Sequence, residues 1–151
     1  DWSSDVCSSD LFKRRIRWFP PLDKRQYLQL ASICDIHLDP TPFGGCNTSY
    51  DAFDFNIPVI TLPSCKISGR FTFGLYKKMD ADTGVDIVKD VVATTTESYI
   101  ARAIEIASNP KLRNMISRKI ETAKRAIFMC GDVIAEYEAL LVSMATSSKM
   151  C

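Results

Sequence analysis

At 151 residues and 46% apolar composition the chain can fill one ordinary core and not two, which excludes a complete two-domain enzyme and leaves one domain or part of one. Nineteen Lys and Arg against 18 Asp and Glu give a net charge of +1, so no global field draws in nucleic acid or an anionic membrane. Six scattered cysteines (Cys7, Cys34, Cys46, Cys65, Cys130, Cys151) without a C-x-x-C pair, and one histidine, indicate neither a zinc site nor a disulfide framework; a reducing cytoplasm fits best.

Residues 1–11 lack helical or strand periodicity and resemble a translated sequencing adapter, or else a disordered polar leader, and neither reading gives them a function. The first residues lack the basic start and apolar centre of a secretion signal, and no apolar stretch approaches the roughly 20 residues that span a bilayer. Residues 12–146 are expected to form the folded domain and 147–151 a disordered tail.

Along the chain, strand and helix patterns alternate. Ile16 to Phe19 is a strand candidate stopped by Pro20-Pro21, and Asp23 opens a helix with Tyr27, Leu28, Leu30 and Ala31 as its apolar positions. Ile36-His37-Leu38 is a second short strand, followed by the loop Asp39 to Asn47. A helix from Thr48 to Phe55 ends at Asn56, a residue that tolerates the left-handed conformation. Val59-Ile-Thr-Leu62 is a third strand whose near-continuous apolar character is the habit of parallel strands buried under crossover helices. The spacing predicts helix over Arg70 to Met79 and an edge strand over Val85 to Val88. Thr94-Thr-Thr-Glu97 reads as a capping box before a helix with Ile100, Ala103, Ile104 and Ala107 on one apolar face, ended by Asn109-Pro110. Leu112, Met115, Ile116, Ile120, Ala123 and Ile127 make another helical stripe, and Val133 to Met144 a last helix after Gly131. The fold class is therefore α/β. Fewer strands are visible than in a typical doubly wound sheet, which predicts a domain truncated at its N-terminal side.

The segment richest in chemistry is Pro42-Phe-Gly-Gly-Cys-Asn-Thr-Ser-Tyr-Asp51, a glycine-bearing loop running into a helix start. Unpaired N–H groups and a partial positive charge at such a start can hold phosphate without a metal. Taken alone, Thr48-Ser-Tyr-Asp51 is also an ordinary capping box that binds nothing.

Phe43-Gly-Gly-Cys-Asn-Thr-Ser-Tyr-Asp-Ala-Phe53 and Ile57-Pro-Val-Ile-Thr-Leu-Pro63, with Leu30 to Pro40 ahead and Ser68-Gly-Arg-Phe-Thr72 behind, resemble the C-terminal half of the O-GlcNAc transferase and SPINDLY family from about Ile16 to about Tyr137. The resemblance implies the Rossmann-like, nucleotide-sugar-binding C-terminal domain of a GT-B glycosyltransferase. It implies an inverting, metal-independent enzyme with UDP-GlcNAc or GDP-fucose as co-substrate and no cofactor. By position, Thr48 matches the residue whose hydroxyl bonds the donor diphosphate, with Asn47 beside it. Asp51 matches the acidic residue that binds the ribose, and Lys24 with the backbone of Leu22 the stretch that faces the base. Gly44 and Gly45 would let the loop backbone approach the phosphates, and Arg70 falls in a loop near the donor. Cys46 stands where bacterial members carry glycine and animal ones histidine, and Asn56 replaces a glycine. The family's acceptor site, catalytic lysine and tetratricopeptide repeats all lie upstream of these motifs, so the chain alone is expected to be inactive, its protein acceptor held through the missing part.

Other features carry blander readings. Asp80-Ala-Asp82 matches a D-x-D metal pattern but reads as a solvated loop. His37 reads as a packed histidine, Cys46 as an incidental thiol, and the basic runs Lys13 to Arg17 and Lys111 to Arg125 as solvated faces. The competing assignment is a noncatalytic α/β interaction module, distinguished by whether Gly45, Thr48 and Asp51 meet at an open cleft on the carboxyl ends of parallel strands.

Overall fold

A computed structural model describes residues 15–128 and 131–147. The leader 1–11 lies outside the described residues, as does the tail apart from Ser147, which ends the last helix.

The sheet is small and parallel. Strands β1 (His37–Leu38) and β2 (Val59–Ile60) pair with His37 opposite Val59 and Leu38 opposite Ile60. Thr61 extends the sheet by a parallel bridge to Val92. Helix α1 (Lys24–Ser32) precedes β1, and α2 (Asn47–Asp54) crosses from β1 to β2. After β2 come a 3-10 turn (Ile67–Gly69), α3 (Phe71–Thr83) and the single-turn α4 (Val88–Val91), which lead to Val92. Helices α5 (Thr96–Ser108), α6 (Pro110–Ala123), α7 (Arg125–Phe128) and α8 (Gly131–Ser147) close the chain. This is the expected α/β class, helix-rich and with a shorter sheet than the apolar runs suggested.

Local chemistry explains most boundaries. Asp23 and Gln26 form a reciprocal capping box at the start of α1. Asn56 has φ 60° and lets the chain leave α2 directly into β2. Asn109 caps α6 with Pro110 in its first turn, where a missing N–H costs nothing.

The core gathers Phe53, Val59, Ile60, Tyr76, Met79 and Ile87 with Ile106, Ile116 and Ile120 from α5 and α6, all essentially inaccessible to solvent. Parallel pairing with β1 uses the Pro58 and Ile60 carbonyls, so the peptide groups of Val59 face the other edge. There the buried Tyr76 hydroxyl accepts from Val59 N–H at 2.9 Å and donates to Val59 C=O at 3.1 Å. One phenol thus fills the rung that a neighbouring strand would have supplied, so that both buried peptide groups of Val59 are satisfied.

Four expectations are corrected. Ile16 to Phe19 is not a strand: Trp18 is 89% exposed, and no described strand lies beside the segment to pair with it. Val85 to Val88 is not an edge strand, because the Asp80 carboxylate accepts from the N–H groups of Ile87 (2.7 Å) and Val88 (2.9 Å) and so starts α4 there. The capping box of α5 sits one residue later, between Thr95 and Ser98. Its buried face is Tyr99, Ala103 and Ile106, whereas Ile100 and Ile104 are exposed.

Candidate functional site

The glycine loop hangs from one buried carboxylate. Asp39 immediately follows β1, is 4% exposed, and accepts from Gly45 N–H at 2.6 Å and from the Thr61 hydroxyl at 2.7 Å. Tyr99 donates to the Asp39 carbonyl at 3.0 Å, so α5 also braces the corner. Because Asp39 and Thr61 leave β1 and β2 at their carboxyl ends, the loop lies where open parallel sheets present ligands. The Thr41–Pro42 peptide within the loop is cis.

Two helix starts converge on this loop. Ser49 of α2 and Thr72 of α3 share a buried hydrogen bond of 2.7 Å, and Thr72 donates to the Gly45 carbonyl at 3.3 Å. Gly44 N–H donates to the Ser68 carbonyl at 2.9 Å, joining the loop to the 3-10 turn. A Cβ on Gly44 would stand 3.1 Å from the Asp39 carboxylate, and one on Gly45 would meet Thr48 Oγ1 and force that hydroxyl to move, so both positions are closely fitted.

Thr48 and Asp51 do not form a capping box. Cys46 is the N-cap of α2, its thiol caps nothing, and the N–H groups of Cys46, Asn47 and Thr48 have no partner among the described residues. Cys46, Asn47 and Thr48 are all exposed, leaving an open, uncapped helix start that carries partial positive charge.

One turn further along α2, Asp51 accepts from Lys24 Nζ at 2.6 Å. The structure therefore brings Lys24 and Asp51 together and joins α1 to α2. With Lys24 64% exposed, that pair is worth no more than about 1 kcal/mol to stability. Lys24 also lies over the Tyr27 ring, whose buried hydroxyl has no partner. Burial, and secondarily the Asp51 carboxylate, hold that phenol above its usual range. Lys24 lines a cavity of about 570 Å³ with Leu28 and Phe55, between α1 and the end of α2.

Arg70 stands apart from this group. It is the residue before α3, donates to the Ser64 carbonyl at 3.1 Å and lies 5.1 Å over the Phe73 ring.

The remaining polar motifs are structural. Asp80 and Asp82 belong to α3 rather than a loop, Asp80 starting α4 as described and Asp82 pairing with Lys78 at 2.8 Å. No group of residues able to hold a metal occurs among the described residues. The basic residues of α6 are partly spent on ion pairs, Arg113 with Asp35 at 2.9 Å and Lys119 with Asp90 at 2.6 Å. No helix among the described residues is long and apolar enough to cross a membrane.

His37 lies half-buried in β1, and burial lowers its pKa below the ordinary 6.5, an effect the Asp51 carboxylate opposes. The folded chain therefore binds a proton at His37 less readily than the unfolded chain does. This contribution is intact above pH 6.5 and is lost as pH falls from there towards the lower folded value. We expect the urea midpoint of the parent to fall more than that of His37→Gln between pH 7.5 and pH 5; parallel curves would show that His37 is not strained by protonation.

Asp39 and Tyr99 are the site residues that motif reasoning missed. An acid directly after an apolar strand and before a Gly-Gly loop was the available signal for Asp39, and nothing local signals Tyr99.

No family model matches the chain. Over 95 residues, 63% of its length, it is 25% identical to the UDP-glucose:protein N-beta-glucosyltransferases of Actinobacillus pleuropneumoniae serotypes 5b and 7. It spans 14% of their length. Among solved structures it is similar to a mutant O-GlcNAc transferase of Thermobaculum terrenum, with a TM-score of 0.68 and 25% identity over 82% of this chain and 23% of that one. Sequence and structure agree on an O-GlcNAc-transferase-like glycosyltransferase region.

Proposed function

We propose that this chain is the donor-binding region of a GT-B protein glycosyltransferase and that its ligand is a UDP-sugar. The observation that carries the reading is the open start of α2. There, the unpartnered N–H groups of Cys46, Asn47 and Thr48 and the Thr48 hydroxyl flank a glycine loop anchored at the carboxyl edge of the sheet. Sugar transfer builds negative charge on the departing diphosphate, and oriented N–H groups stabilise that charge where it develops, without a metal. Asp51, one helical turn on, would accept from ribose hydroxyls. Lys24, already on its carboxylate, would then meet the base side of the same ligand. Arg70, turned towards Ser64 and Phe73, is left out of the donor contacts. UDP is favoured over GDP because the curated relatives are named for UDP-glucose.

Calorimetric titration tests this. UDP should bind saturably, GDP more weakly, and Asp51→Ala should weaken UDP about tenfold, the loss of one or two hydrogen bonds to a charged group. Transfer of sugar to protein is not expected from a chain that spans so little of its relatives. A folded sample that binds neither nucleotide would favour the noncatalytic interaction module.

A further inference from the structure

A second cavity, of about 520 Å³, opens where β2 and the Val92 bridge end, next to the start of α3. Its lining brings together the cations Arg70, Lys89 and Arg102 and the apolar Phe73, Val88 and Val92. No carboxylate side chain is among its lining residues. The partners these cations have only partly occupy them. Arg70 gives one N–H to the Ser64 carbonyl, Arg102 gives one to the Asp90 carbonyl at 2.7 Å, and Lys89 pairs with Asp86 at the exposed end of α4. A guanidinium has five donors, so both arginines retain most of their capacity. Lys77, outside the lining, lies 6.0 Å from the Phe73 ring that Arg70 also covers.

We propose that this cavity is an anion site distinct from the glycine loop, taking a phosphate group carried on a small apolar or aromatic body. Two planar guanidinium forks and an ammonium suit the three oxygens of a phosphoryl group, which can accept bidentately from each arginine. The body would lie on Phe73, Val88 and Val92. The site does not depend on a nucleotide at Thr48, yet the segment from Ser64 to Arg70 touches both places, through Ser68 to Gly44 and through Arg70 to the cavity. Occupancy of the cavity is therefore placed to be felt at the glycine loop.

The test uses the full chain and three probes, phenyl phosphate, inorganic phosphate and benzoate, followed by calorimetry and by amide chemical shifts. Phenyl phosphate should bind saturably and at least tenfold more tightly than either of the others. Lys89→Gln and Arg102→Gln should each weaken it several-fold, while Asp51→Ala leaves it unchanged. Since Arg102 also supports the Asp90 carbonyl, the exposed Lys89→Gln keeps the test valid if Arg102→Gln fails to fold. Benzoate binding as well as phenyl phosphate, insensitivity to both substitutions, or loss in Asp51→Ala would each overturn the assignment. Failure of UDP to bind would leave this result standing, and the reverse holds as well.

Discussion

Asp39→Ala is expected to destabilise the chain by about 3 kcal/mol, the scale for removing a buried, charged acceptor from two donors, and to abolish nucleotide binding. The residue is 4% exposed and carries both the Gly45 N–H and the Thr61 hydroxyl on its carboxylate. Alanine would leave the part-buried Gly45 N–H and the buried Thr61 hydroxyl without this acceptor and empty the space that the carboxylate fills beside Gly44. The loop would then lose the contact that fixes its position relative to α2, and the N–H groups of residues 46–48 would no longer point to one place. Asp39→Asn separates the two effects. Its amide oxygen can still accept from Gly45 while its NH2 meets the Thr61 oxygen, which can reorient its proton. We expect a cost of about 1 kcal/mol and measurable, weakened UDP affinity for Asn. Urea denaturation with parallel UDP titration reads both. A stable Asp39→Ala chain would show that the loop is held elsewhere.

The same residue shows how far sequence reasoning reaches. The helix start at Asp23, the left-handed exit at Asn56 and the parallel pairing of Val59 and Ile60 were legible because each depends on a few neighbouring residues. The failures are long-range. Val85 to Val88 has the composition of a strand, and the Asp80 carboxylate, seven residues before Ile87, turns it into a helix start. Ile100 and Ile104 satisfy helical spacing as well as Tyr99, Ala103 and Ile106 do. Which stripe is buried depends on where Asp39 and α6 lie, and Tyr99 is drawn inward by the Asp39 carbonyl. Tyr76 is a core aromatic by pattern, and its use as a substitute strand rung follows only from the missing neighbour of Val59.

For the site, the motif drew attention to the glycine loop, Thr48 and Asp51, and the resemblance named Lys24, which the structure brings to Asp51 from 27 residues away. It misplaced the internal logic. A hydroxyl and an acid three residues apart suggest a capping box, yet α2 begins one residue before Thr48 and the acid pairs with α1. The consequence is functional as well as structural. A capped helix start has spent its N–H groups, and an uncapped one has them available.

Two glycines five residues apart, one structural and one incidental, should respond in opposite ways to the same substitution. Gly69→Ala is expected to cost about 3 kcal/mol, the upper range for forcing atoms into a packed site. A Cβ there would collide with Ser64 Oγ and with the Pro42 carbonyl and stand 2.9 Å from Ser64 Cβ. A side-chain hydroxyl can rotate away, but a backbone carbonyl cannot, so the 42–45 loop must separate from the 3-10 turn. That separation breaks the hydrogen bond from Gly44 N–H to Ser68 and draws Gly45 away from Thr72, so UDP affinity should fall with stability. Gly74, inside α3, has nothing within 4 Å of its would-be Cβ. Gly74→Ala should therefore stabilise the chain by roughly 0.5–1 kcal/mol through helix propensity, with UDP affinity unchanged. Thermal melts and UDP titrations of the two variants decide the matter. If Gly69→Ala melts with the parent and binds UDP normally, the contact between the 3-10 turn and the glycine loop does not shape the site.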